Sequence, residues 1–564
     1  MISTPLKSLY HYTGFFATKM RFFYIIIDFY VNLMYYLIIN LSKGANDMTL
    51  REKILKTFIV TIREINSNGG PKEFFEKYPV GGMYYGEEPA FRGKNGEYMG
   101  SQLDFDTLNE CKKYSKKKLL VCADGAKVHN QTVTVGSQRS LGASRNLDDA
   151  YNWGKTIGMQ MNDKGVDWVL GPSIDMCFDP LMYLMAISDD PKVIASIYRE
   201  VIRGIQDQGV CATAKHFPGL GTYFVNMHIA PGSNKMDMDE WMETYGYTYK
   251  EMFKENAMCV MTTHTTLKAY DKDGENGFYP IATFSKKLTT DLLKGELGFE
   301  GAVVTDALIM GGNGVGDNIA ETVQAFKAGA DLLLWPPIEA ADVIEQQILS
   351  GEIPMSRLED ALSRIEKMEN FRNKALQNNA FDTPDAKFVD SKKLEIAKHG
   401  ICMLRNDIGL LPLSADKLNK VLIVDVTDDD KVSSNLLKEE LAKRGVSADV
   451  RRDIFEPVSQ VCWQTDTDEI QKDYDLVIFN VNAMFVAQWS DAHMMIWGSH
   501  QFDKKKKVIV NYGSPYFAPE YFPEDPTYIE MNTSPSVDTV KMLVDGLFGE
   551  MQFTGKSIFA KESN

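Results

Sequence analysis

Along the N-terminal part of the chain, polar residues with chemical capability close short apolar runs. Asp124 ends LLVCAD, Asp175 follows VDWVLGPS, Lys215 and His216 lie in GVCATAKHF, His264 lies in MCVMTTHT, and Asp306 follows GAVVT. Carboxylates, imidazoles and an ammonium group supply what proton transfer and nucleophilic attack draw on. Taken singly, each reads as readily as a helix cap or a loop residue, because Asp so often opens helices. Gathered on one rim, they read as a site.

The elements that must gather them follow from the spacing of the apolar runs. VGGMYYG, LLVCAD, VDWVLGPS, GVCATAKHF, MCVMTTHT, GAVVTDAL and GADLLLWP recur from about residue 80, separated by helix-like stretches. Such alternation means parallel strands with crossover helices, and it predicts a (β/α)8-type TIM barrel over residues 48–376. In that architecture the active site lies at the C-terminal ends of the strands, where these polar residues would project. The barrel opens with an amphipathic helix from Met48 (MTLREKILKTFIVTIREI) and closes with a helix over Met355 to Lys374. The polar, aperiodic stretch 377–392 reads as a linker. Beyond it, KVLIVDV, DLVIFNV and KVIVNYG with the helix SSNLLKEELAKRG predict a smaller three-layer α/β sandwich over 393–564. NYGSPY (Asn511 to Tyr516) reads first as a plain strand-to-helix connection and second as a turn near the barrel rim.

The chain has 564 residues, too many for one hydrophobic core, which agrees with two domains. Its net charge of -16 argues against a nucleic-acid partner, which needs a basic face, and suits a neutral small molecule or oligosaccharide. The seven cysteines are scattered, several of them inside apolar runs, and read as buried thiols in a reducing compartment, so a cytoplasmic location is expected. The histidines show no ligand spacing, and neither a metal nor a cofactor is expected. Residues 22–41 (FFYIIIDFYVNLMYYLIINL) are long and apolar enough to cross a bilayer, although Asp28, Asn32 and Asn40 interrupt them. Residues 1–47 are therefore either a membrane anchor or a segment upstream of a start at Met48.

KHFPGLGTYFVNMH (Lys215 to His228) resembles the signature KHFPGHGDTxxDSH of the β-N-acetylglucosaminidase (β-hexosaminidase) branch of glycoside hydrolase family 3. The resemblance extends to MTTHTT, to FSKKLTTDLLKGELGFEGAVVTDALIM, to GPSIDM and to ICMLRNDIGLLPL, and so covers the chain from about residue 50 onward. It implies a retaining β-glycosidase in which Asp306 is the nucleophile and His228 the acid/base. Imidazole suits the second task, since its unperturbed pKa of about 6.5 lets it give and then recover a proton near neutrality. The resemblance further implies that Asp124, Lys215, His216, His264, Asn226 and Met310 line the substrate.

Three family positions are altered. Asn226-Met227-His228 replaces DSH, so the aspartate that orients the histidine is an amide. In serine-protease triads the comparable change costs about 10⁴ in turnover by setting the wrong tautomer, so impaired hydrolysis is expected. Cys122 stands where a sugar-binding aspartate is usual, and Met185 (within DPLMYLMAISDDP) where an arginine grips the substrate. Each lost hydrogen bond to a charged group weakens binding by about 1.5–3 kcal/mol. Two alternatives stand beside hydrolysis: phosphorolysis on the same site, since a neutral residue 226 repels phosphate less, and a catalytically impaired carbohydrate-binding protein.

Overall fold

Near-continuous apolar runs suit strands buried on both faces, and the computed structural model places eight of them in one parallel ring. It describes residues 48–86, 91–92, 98–99, 105–124, 136–178, 185–223, 225–273, 278–314, 316–379, 381–427, 431–452, 454, 466–483 and 491–559. The ring comprises β1 (Phe58–Val60), β2 (Gly82–Tyr84), β3 (Leu120–Ala123), β4 (Trp168–Val169), β5 (Thr213–Phe217), β6 (Cys259–Thr262), β7 (Ala302–Thr305) and β8 (Leu333–Leu334). Parallel pairing runs from β8 through β1, β2 and β3 to β4, and from β5 through β6 to β7. Parallel bridges Trp168↔Cys211 and Val304↔Leu332 join the two arcs. The result is a closed TIM barrel.

β1 corrects the helix expected from Met48. The helical segment stops at Leu55, and Phe58-Ile59-Val60 is a strand with every residue buried. The amphipathic pattern fails there because the run has no polar position, and a strand is what the ring requires. Leu333 N donates to Thr57 O at 2.8 Å and Trp335 N to Ile59 O at 2.9 Å, so β1 closes the gap between β2 and β8.

The crossover helices carry conventional signals. α1 spans Gln138–Ser144, α2 Leu147–Asp163 and α3 Pro191–Asp207. Asp190 caps α3 by accepting from Lys192 N, and Pro191 takes the first helical position, where its missing N–H is not needed. Ile194, Ile197, Tyr198, Val201, Ile202 and Ile205 then form one buried stripe at three- and four-residue spacing. Where α3 meets α2, a side chain on Gly154 would lie 2.1 Å from Val201 O, so only glycine permits the approach. α4 (Met355–Gln377) completes the barrel domain.

The stretch expected as linker is helical in its second half. Asp385 caps α5 (Ala386–Gly400), whose Val389, Ile396, Ala397 and Gly400 are buried. The smaller sheet follows, with β9 (Cys402–Asn406), β10 (Lys420–Thr427), β11 (Ser447–Arg451), β12 (Leu476–Asn482), β13 (Lys507–Asn511) and β14 (Thr527–Glu530). Its order is β9-β14-β13-β12-β10-β11, parallel except for β9 against β14. Alternate residues of its strands feed separate apolar clusters, Val421 and Ile423 into one and Leu422 and Val424 into the other, which makes the three layers.

The NYGSPY connection is more than a connection. Arg139, in α1, donates from its guanidinium to Tyr512 O and Gly513 O, and Tyr516 Oη donates to Cys177 O at 2.7 Å. The turn therefore seats the small domain against rim segments of the barrel. The six described cysteines are buried and stand outside any disulfide, and Cys462 lies outside the described residues. Among the described residues no helix is long and apolar enough to cross a membrane, and the 22–41 stretch lies outside them.

Candidate active site

The barrel brings Asp124, Lys215, His216 and Asp306 to one rim. Asp306 follows β7 and keeps partial exposure. Its Oδ1 accepts from Ala307 N at 2.9 Å, and Thr263 Oγ1 lies 2.9 Å from its Oδ2. Burial pushes this carboxyl up, but His216, His264 and the Lys215 ammonium outweigh it and hold the group below the ordinary carboxylate value. Asp306 is thus an ionised, fixed carboxylate.

Lys215 is arranged in the same sense. Its Nζ donates to Asp124 Oδ1 at 2.9 Å, while Asp124 Oδ2 accepts from Tyr84 Oη at 3.0 Å. Burial pulls Lys215 down, yet Asp124, Asp306 and Asp175 raise it above the usual lysine value, so it remains an ammonium. His216 is oriented from behind. Its Nδ1 lies 2.7 Å from Asp175 Oδ2, and Asp175 is wholly buried, also accepting from Ser173 Oγ at 2.7 Å and Leu220 N at 2.8 Å. That arrangement puts the proton on Nδ1 and leaves Nε2 for the pocket.

His264, expected beside the substrate, is instead fully buried with both nitrogens engaged. Nδ1 is 3.0 Å from Thr283 Oγ1 and Nε2 is 3.2 Å from Ala307 O. Burial lowers it from the usual histidine value, beyond what Asp306 restores, and the ring packs behind the carboxylate. Cys122 is likewise wholly buried in β3, in the apolar cluster that also takes in Tyr84. Met185 is partly buried, and its carbonyl accepts from Gln138 Nε2 at 2.7 Å; residues 179–184 of the same segment lie outside the described residues.

The loop carrying His228 is tied to the Asp306 segment. Gly311 N donates to His228 O at 3.0 Å, and a side chain on Gly312 would lie 2.2 Å from Met227 O. Thr263 Oγ1, beside Asp306, is also 2.9 Å from Met227 Sδ. Met310 packs in the same apolar cluster as Met227 and Met185. His228 itself is exposed, and its Nδ1 lies 2.8 Å from Asn226 Oδ1. The same Oδ1 accepts from His228 N at 3.0 Å. A backbone N–H can only donate, so the amide must present its oxygen, and imidazole Nδ1 must carry the proton. Asn226 therefore sets the tautomer an aspartate would set, and what it fails to supply is negative charge.

Tyr84, Thr263 and Trp335 also belong to the rim. Tyr84 ends β2, Trp335 follows β8, and their rings meet edge-on with centroids 5.2 Å apart. Both stand at the ends of apolar runs, so the rule that found Asp306 reaches them once it is not confined to titratable residues. A fixed carboxylate, an ammonium and an imidazole on one rim, with a second imidazole on a loop tied to the Asp306 segment, can attack an electrophilic carbon and move a proton at its leaving group.

Residues 49–368 match the Glycosyl hydrolase family 3 N terminal domain. A beta-N-acetylglucosaminidase/beta-glucosidase of Cellulomonas fimi is 26% identical over 394 residues, 64% of this chain and 69% of that protein. Beta-hexosaminidase A of Pseudoalteromonas piscicida is 27% identical over 288 residues, 46% of this chain and 47% of its own. Among solved structures, a β-glucoside phosphorylase, BglX, superposes with a TM-score of 0.75 at 22% identity, covering 94% of this chain and 95% of that one. A β-N-acetylglucosaminidase from Paenibacillus sp. str. FPU-7 gives 0.72 at 22% identity, covering 92% and 100%. The two solved structures share this chain's fold.

Proposed function

Because the chain belongs to glycosyl hydrolase family 3, we propose that it is a retaining β-glycosidase of the β-N-acetylhexosaminidase kind, with Asp306 as nucleophile and His228 as acid/base. The Asp306 carboxylate attacks C1 of the sugar, the C1–O bond to the leaving group breaks, and His228 gives that oxygen its proton. Water then surrenders a proton to His228, and its oxygen displaces Asp306 from C1, so two inversions retain configuration. Lys215, Asp124 and His216 Nε2 bind sugar hydroxyls, with Met310 and Asn226 beside the substrate. The observation that carries this reading is Asp306 itself, ionised and pinned through both oxygens at a strand end.

The test is a panel of aryl β-glycosides, the N-acetylglucosaminide and glucoside included, with a 2-fluoro sugar as covalent trap. Turnover that vanishes in Asp306→Asn, with the label found on Asp306, supports the proposal. A folded protein inert toward every substrate and trap would sink it and favour the carbohydrate-binding alternative.

Asn226 gives phosphorolysis a claim as second reading. No carboxylate stands on the His228 ring nitrogen to repel an incoming phosphate, and the fold is similar to that of a β-glucoside phosphorylase. In that version a phosphate oxygen, rather than water, displaces Asp306 and the product is a sugar 1-phosphate. A rate indifferent to phosphate eliminates it.

A further inference from the structure

The surroundings of His228 bear on what leaves. Resting on the glycosidase reading above, the group on the far side of the scissile bond must lie against whatever flanks His228, because that imidazole protonates the departing oxygen. From Phe217 to Asn234 and from Ala307 to Gly316 the chain has no Lys, Arg, Asp or Glu. Val225, Ile229 and Ile309 are 41%, 76% and 43% exposed. Single exposed apolar residues are ordinary on protein surfaces. These three lie on two segments that touch: Gly311 N donates to His228 O at 3.0 Å, and a side chain on Gly311 would lie 2.8 Å from Ile229 O.

A second sugar in this place would set its hydroxyls against Val225, Ile229 and Ile309, none of which can donate or accept, with the Asn226 amide as the one exposed donor among them besides His228 itself. A charged leaving group would meet no counter-charge on either segment. We propose that Val225, Ile229 and Ile309 form the leaving-group subsite, and that the leaving group is an apolar aglycone, aryl or alkyl. Binding energy gathered there acts on the glycoside before cleavage and is released with the aglycone.

A homologous series of alkyl β-glycosides tests this, because leaving-group acidity stays nearly constant while apolar length grows. The sugar is the one whose aryl glycoside is cleaved in an Asp306-dependent manner, and octyl glycoside is kept below its critical micelle concentration. A fully buried methylene is worth about fourfold in binding, so a half-open lip gives about twofold per methylene in kcat/KM, or about a hundredfold from methyl to octyl. Ile229→Ser flattens that slope. A flat series in the wild-type protein, or a disaccharide preferred over the octyl glycoside by more than about tenfold, overturns the inference while leaving the glycosidase reading intact. Absence of turnover on every glycoside overturns both. The wild-type series decides even if the serine variant folds poorly.

Discussion

Both sheets of the molecule end their parallel strands in polar residues, yet only one end is set up for chemistry. On the barrel rim, Asp306 and Asp124 keep partial exposure, and Asp124 accepts from the Lys215 ammonium at 2.9 Å. In the small sheet, Asp425 near the end of β10 is wholly buried; its Oδ1 accepts from Thr427 Oγ1 at 2.9 Å and Ser434 Oγ at 2.5 Å. Its neighbour Asn480, in register on β12, spends Nδ2 on Ser433 and Ser434. A strand-end carboxylate thus becomes a candidate for catalysis only when part of it stays exposed, since Asp425 too has a cation beside it, Arg452 Nε 3.6 Å from its Oδ2. Closed in with hydroxyls, the same residue type fastens a helix to a sheet.

The widest separation between the two ends comes from removing each carboxylate's charge. Asp306→Asn lowers kcat/KM toward an aryl glycoside by about 10⁴–10⁶, as loss of a nucleophile does. Asp425→Asn leaves kcat/KM within about twofold but reduces unfolding free energy by about 1–3 kcal/mol in a urea melt, because a buried network loses its anionic acceptor. If the two effects were interchanged, the distinction drawn here would collapse. His228→Ala follows, with a loss of about 10²–10⁴ that shrinks as the leaving group becomes more acidic.

Much of this contrast was legible in the sequence. The rule that strand ends share one rim put Asp124, Lys215, His216 and Asp306 together from their runs alone. It missed β1, since Phe58-Ile59-Val60 sits inside a segment whose flanks are helical, and only ring closure distinguishes strand from helix there. It put His264 on the same rim because sequence shows that a residue ends a strand, not which way its ring turns, and the ring is fully buried. The amide orientation of Asn226 was beyond reach for the same reason, being set by a backbone N–H two residues away. The seat of NYGSPY against Arg139 and Cys177 depends on residues more than three hundred positions apart.

A smaller effect sharpens the role of residue 226. Asn226→Asp keeps the tautomer and adds the missing charge, so hydrolytic kcat/KM rises by on the order of tenfold, a fraction of what acid–base catalysis is worth in full. If the present rate is phosphate-dependent, the same change depresses the phosphorolytic rate. The pH dependence of stability is subtler still. Asp306 titrates lower in the folded chain than unfolded, so it contributes stability above its unfolded pKa of about 4, and that contribution is lost as pH falls through the lowered folded value. Acid melts of wild type and Asp306→Asn should therefore converge as pH drops below about 4.

Both hydrogen bonds that aim His228 end on one atom, Asn226 Oδ1, and the amide nitrogen donates to nothing among the described residues. Aspartate has the same shape and would offer the same atom. The loop thus separates aim from charge: its geometry is inherited from an oxygen that amide and carboxylate share, while its electrostatics rest on the atom beside it. Exchanging nitrogen for oxygen at residue 226 is an isosteric step, so the charge beside His228 can change without the loop first having to be rebuilt.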